Sequence, residues 1–162
     1  MTQLRDMLHA EGQLLNALPK MAQAAHHPKL REAFEKHLMQ TQMQIERLQK
    51  SIELLGGDSQ PKECPGMMGL IEEGQETIKE GKQKDSIAAD LALIASAQKV
   101  EHYEISAYGT ARTMAGQIGA PDVALLMSAS LAEEETADNL LTQIARELMS
   151  MSLVGGPRPG RR

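Results

Sequence analysis

The stretch Ala97–Gly109, AQKVEHYEISAYG, decides the reading of this chain. Its small and apolar residues, Ala97, Val100, Ile105, Ala107 and, just beyond, Ala111, lie within a long helical pattern. Within that pattern Glu101 and Glu104 stand one turn apart, and Tyr108 follows one further turn on. A carboxylate on an inward helix face is costly to bury unless it is paired or bound to a cation. The ordinary alternative is that both acids point to water, as most glutamates do. Which of the two holds depends on what the other helices bring to the same level.

Outward from that stretch, the helix is predicted to start at Asp85 or Ser86, either of which can cap it, and to end near Ile118. Gly119-Ala120-Pro121-Asp122 reads as a turn, and a further long helix follows to about Met151. Its stripe is Met127, Leu131, Glu134, Asp138, Leu141, Ile144/Ala145 and Leu148, so two acids four apart interrupt an otherwise apolar face. At the other end of the chain, Leu4, Met7/Leu8, Leu14/Leu15, Leu18, Met21 and Ala25 define a first helix, bent at Pro19, with Glu11 inside its stripe. His26-His27-Pro28 breaks the pattern, and Pro28 suits the first turn of a second helix. That helix runs to about Leu55, with a predicted stripe of Leu30, Phe34, Leu38, Ile45, Leu48, Ile52 and Leu55. Gln42 falls within it and Met39 on its border, and Gly56-Gly57-Asp58 closes it. The long connection from Ser59 contains Pro61 and Pro65 and a short amphipathic segment, Met67 to about Lys79, which reads as a crossover across a bundle.

The two helix pairs form a weak internal repeat. Glu11 lies 17 residues before Pro28, and Glu104 lies 17 before Pro121. Two pairs, each with an inward glutamate on its first member, match the layout of a carboxylate-bridged two-metal bundle. Bridging carboxylates supply the negative charge that holds two mutually repelling cations at short range. Oxygen donors suit Fe, Mn or Mg better than Cu.

Composition removes other classes. The chain of 162 residues has 2% aromatics, 11 Met and a net charge of −5, which favours helix and argues against a nucleic-acid surface. No apolar run approaches the roughly 20 residues of a membrane span, and no P-loop, dinucleotide or nucleophile–base motif appears. The single Cys64, beside Pro65 and Gly66, has no partner for an internal disulfide. It reads as a structural thiol in a reducing, cytoplasmic setting. The short basic end, Arg158 to Arg162, follows a Gly/Pro break, and residues 153–162 read as a disordered tail behind a bundle domain of residues 1–152.

HAEGQLLNALPKMA, HPKLREAFEKHL…QIERL, LIEE, QKVEHYEISAYGT and LAEEETADNLL together resemble the YciF/YciE-type ferritin-like proteins, small bacterial stress-associated proteins, over about residues 2–150. The resemblance implies a ferritin-like four-helix bundle with a crossover, usually dimeric, of undefined biochemical activity. It carries Glu11, Glu101, Glu104, Glu134 and Asp138 over as metal-facing acids. Where members of that family have Glu-x-x-His in the second helix, this chain has Met39 and Gln42, which weakens half of a two-metal site. His37 and His102 are the candidate compensating ligands, although His102 points about 100° away from Glu101 on a helix.

The expectation is therefore an all-α, ferritin-like four-helix bundle with a short crossover helix, forming a homodimer partly through the crossover segment. Glu11, Glu104, Glu134 and Asp138 should converge in the interior with Glu101 at the edge of the cluster, and Met39 and Gln42 should cap the weakened side. One or two Fe or Mn ions would serve iron or peroxide handling. If the metal has been lost, the acids share protons and the bundle acts by interaction with an unidentified protein. A DNA-protecting role is disfavoured by the acidic surface, since phosphate binding needs clustered Lys and Arg.

Overall fold

The structure, a computed structural model, describes residues 1–155, and all regular secondary structure among them is helix. Five helices follow one another: α1 Thr2–Ala24, α2 Pro28–Leu54, α3 Pro65–Gly81, α4 Ser86–Gln117 and α5 Pro121–Gly155. The expected tail lies outside the described residues except that α5 runs on to Gly155. Short turns make α1–α2 and α4–α5 hairpins, whose helices pack most extensively on one another. Contacts of α2 with α5 and of α1 with α4 close the four-helix bundle, and α3 crosses outside it against α4 and α1.

Local chemistry fixes the helix ends. Pro28, Pro65 and Pro121 each open a helix, where the missing N–H is not needed. Asp85 caps α4 by accepting from the Ala88 N–H at 3.0 Å. The chain leaves α2 and α4 through Gly56 (φ 68°) and Gly119 (φ 73°), left-handed positions where a side chain would be strained. Pro19 is exposed, and α1 continues through it. The α1–α2 turn is tied to the bundle by Asp90 of α4, which is fully buried. Its Oδ1 accepts from the His26 N–H at 2.9 Å and its Oδ2 from the His27 N–H at 2.7 Å.

The apolar core comes in two blocks. One contains Leu14, Leu18, Leu30, Phe34, Leu93, Ile94, Leu141 and Leu148 and is extended by Met67 of α3. The other contains Leu4, Leu8, Leu48, Ile52, Met127 and Leu131. Burying each such side chain favours folding by about 1.5–3 kcal/mol before entropy is counted. α1 and α5 run from the second block to the first, and α2 and α4 from the first to the second, so each packed pair of bundle helices is antiparallel. Between them lies a layer of buried polar side chains: Glu11, His37, Thr41, Gln44, Glu101, Glu104 and Glu134.

The second-helix stripe differs from its predicted phase. The buried face of α2 is Leu30, Phe34, His37, Thr41, Gln44, Leu48, Ser51 and Ile52. Met39 is 58% exposed and Gln42 is also on the outside, so neither caps the centre. The physical reason is that the inward face alternates steps of four and three residues and passes through polar residues. Choosing Leu38 and Ile45 for their hydrophobicity rotated the predicted face by a fraction of a turn.

Candidate metal centre

Each core helix supplies the polar layer from a defined position. Glu101 and Glu104 sit one turn apart on α4, and their i,i+3 spacing puts both on the face toward the axis. His37 comes from α2, Glu134 from α5 and Glu11 from α1, and all five side chains are nearly or fully excluded from solvent. One donor atom from each of His37, Glu101, Glu104 and Glu134 lies within 4.8 Å of the others. His37 Nε2 stands 3.6 Å from Glu101 Oε1, 4.0 Å from Glu104 Oε2 and 3.5 Å from Glu134 Oε2. Donors about 2.1 Å from one ion stand roughly 3–4 Å apart, so these separations suit ligands of a single cation.

The surrounding groups hold the cluster in place. Tyr108, fully buried, donates its hydroxyl to Glu11 Oε1. Gln44 Nε2 donates to Glu134 Oε1 and, at 3.1 Å, to Glu133 Oε2. Arg47 grips Glu133 with both terminal nitrogens, at 2.6 and 2.8 Å. A chain of contacts thus runs from Glu134 through Gln44 and Glu133 to Arg47, whose guanidinium is held even more firmly protonated by Glu133.

Electrostatics make the centre unstable as a set of bare anions. As ionised groups, Glu11 Oε2, Glu101 Oε2, Glu104 Oε2 and Glu134 Oε2 have no donor, and both His37 ring nitrogens are unpartnered. Burial, then the charge of Glu134, pushes Glu11 up to about 8. Burial, then the charges of Glu134 and Glu11, drives Glu101 and Glu104 well above the usual carboxylate range. Burial also raises Glu134, against the opposing pull of His37. Without a cation the oxygens left without a donor find partners by sharing protons, Glu104 with Glu11 and Glu101 with Glu134. A divalent ion would replace those protons and satisfy the same lone pairs. Three carboxylates and one imidazole fit Fe or Mn, and they lack the thiolates that favour softer ions.

The structure brings Glu11, Glu101, Glu104 and Glu134 into one layer but not Asp138. That residue is half-buried, accepts from Gln98 Nε2 at 2.9 Å and faces His102 Nε2 at 3.3 Å. Four residues past Glu134 it lies about 6 Å further along α5, beyond the polar layer. Glu101, expected at the edge, is one of the four grouped donors. His102 is exposed and serves Asp138. His37, named only as a compensating residue, is central. The signal that finds it is the series 30, 34, 37, 41, 44, 48, whose spacing alternates four and three. Cys64 is buried at the start of α3 with its Sγ 3.0 Å from the Tyr103 hydroxyl, and burial raises its thiol. Both facts suit a structural thiol.

Fold and centre define a ferritin-like four-helix bundle with a buried imidazole–carboxylate cluster. The chain belongs to the family described as Domain of unknown function (DUF892), whose model matches residues 1–154. It is 45% identical to Protein YciF of Escherichia coli K12 over 146 residues, 88% of this chain and 85% of that protein. The crystal structure of the E. coli stress protein YciF superposes with a TM-score of 0.87 at 43% identity, covering 92% of this chain and 93% of that one. YcfI of Rhodopseudomonas palustris gives 0.82 at 40% identity over 87% and 88% of the two chains. A Xanthomonas campestris protein at 23% identity, with a TM-score of 0.70 over 93% and 90%, shares the fold.

Proposed function

We propose that this chain is a stress-associated metal protein that binds iron or manganese through His37, Glu101, Glu104 and Glu134, with Glu11 as an adjacent carboxylate, and handles iron or peroxide. The observation that carries this reading is the convergence within 4.8 Å of one donor atom from each of four buried side chains on three helices, every one of which has a buried polar atom without a hydrogen-bond partner. Such atoms are costly to bury unless a ligand answers them. A bound ion of this kind would supply one-electron chemistry. The chain's own residues have other tasks. Gln44, held by Glu133 and Arg47, orients Glu134; Tyr108 holds Glu11 beside Glu104; the two apolar blocks keep bulk water from the layer. The likeness to the E. coli stress protein YciF supports the stress association. The lone Cys64 supports a reducing, cytoplasmic setting, and no described helix is long and apolar enough to cross a membrane.

Elemental analysis of protein purified without chelator, followed by Fe(II) and Mn(II) titration, tests the proposal. The expected result is metal in the native chain and its loss in Glu101→Ala and His37→Ala. Equal, background metal in all three would refute it. The raised acids favour a second reading, a metal-free bundle that acts by interaction and whose acids share protons; YcfI carries a name that proposes a structural role. In that case added Fe(II) or Mn(II) leaves Tm unchanged. In either case we infer a homodimer, supported by the crossover helix α3, which fully buries only Met67 and Gly74 and exposes Met68.

A further inference from the structure

The metal reading leaves open how anything reaches a layer closed above and below by apolar blocks. A cleft between α2 and α5 ends on this layer. His37 and Glu101 form its floor, while Phe34, Lys36 and Gln40 of α2 and Thr136, Ala137 and Leu140 of α5 are among its walls. Lys36 and Thr136 are exposed, whereas His37 and Glu101 are 4% and 3% exposed, so the cleft runs from solvent to two of the grouped donors. It offers about 20 Å³ to the centre of a water-sized molecule. Holding one water takes roughly 10–15 Å³ on that measure, so the space takes one small molecule and no organic substrate. Larger grooves elsewhere, such as the one of about 530 Å³ beside Lys20, Lys79 and Lys82, touch none of the cluster residues. Phe34, Ala137 and Leu140 make the passage largely apolar, and the Thr136 hydroxyl is already donated to the Ala132 carbonyl. An anion would have to shed its water to pass, whereas a small neutral molecule would not.

We propose that the α2–α5 cleft is the route by which small neutral co-substrates of one or two heavy atoms, such as hydrogen peroxide or dioxygen, reach the metal-loaded centre. They reach it at the His37–Glu101 edge. This rests on the metal reading, and the test separates the two. The probe is nitric oxide, neutral and diatomic, mixed anaerobically with the Fe(II)-loaded protein in a stopped-flow instrument. Iron content and Fe(II) affinity are measured first. Ala137→Phe should lower the nitric oxide association rate at least tenfold, with Fe(II) affinity and the final nitrosyl EPR amplitude unchanged. Leu140→Ala should raise the rate severalfold. Ala17→Phe, in the separate groove between α1 and α3, should leave it unchanged. If Ala137→Phe lowers Tm, Gln40→Trp at the mouth replaces it as the plug. A plugged variant within twofold of the native rate, or equal slowing by Ala17→Phe, would overturn the route while the metal reading stands. A chain that retains no Fe(II) would remove both.

Discussion

The protonated state of the metal-free centre makes its stability depend on pH in an unusual direction. Folded Glu11 holds its proton up to about pH 8, whereas an unfolded glutamate loses it near 4.5. Between those values the folded chain binds more protons than the unfolded one, so raising the pH destabilises it. The contribution is complete below pH 4.5, declines through the interval and is gone above pH 8. One proton corresponds to about 1.4 kcal/mol per pH unit, so pH 5 to 7 removes about 2–3 kcal/mol through Glu11 alone. At about 2–4 °C per kcal/mol for a chain of this size, Tm should fall by about 5–10 °C. The raised Glu101 and Glu104 act in the same direction. The assay is calorimetric melting of chelator-treated protein from pH 5 to 8, beside Glu11→Gln. Glutamine resembles the protonated acid and still accepts the Tyr108 hydroxyl, so that variant should lose part of the slope. Excess Fe(II) under anaerobic conditions should reverse the sign, because binding requires the ligands to lose protons. A native Tm at pH 7 equal to or above that at pH 5 without metal, or an undiminished slope in Glu11→Gln, would refute the reasoning.

Further outcomes follow from other parts of the molecule. Asp90→Ala leaves the His26 and His27 N–H groups of the α1–α2 turn without their acceptor and should cost about 2–4 kcal/mol, read as a lower urea midpoint at unchanged m. Gln44→Ala releases Glu134 and should weaken Fe(II) binding about 10–100-fold by calorimetric titration. Met39→Glu with Gln42→His places both new groups on the outside of α2. Metal per chain should not rise, and stability should change by no more than about 0.5 kcal/mol. Light scattering should show a dimer at micromolar protein, and a monomer would contradict the inferred assembly.

The sequence by itself determined the helices and most of the acids at the centre. Periodicity gave five helices, and glycine and proline marked their ends, because these signals are local: a left-handed turn at Gly119 or a proline at a first turn needs no distant partner. Glu11, Glu101, Glu104 and Glu134 were legible because each interrupts an apolar stripe. Only the tertiary structure decided the phase of α2 and the height of each acid along the bundle axis. His37 turns inward and Met39 outward through packing of α2 against α1 and α5, since a helix rotation of a few tens of degrees is invisible to a stripe that mixes polar and apolar residues. Asp138 and Glu134 are equivalent by spacing, yet a rise of about 6 Å puts one inside the polar layer and the other beside Gln98 and His102. Which side chains meet at one level depends on how four antiparallel helices are set against each other, and no single helix carries that information.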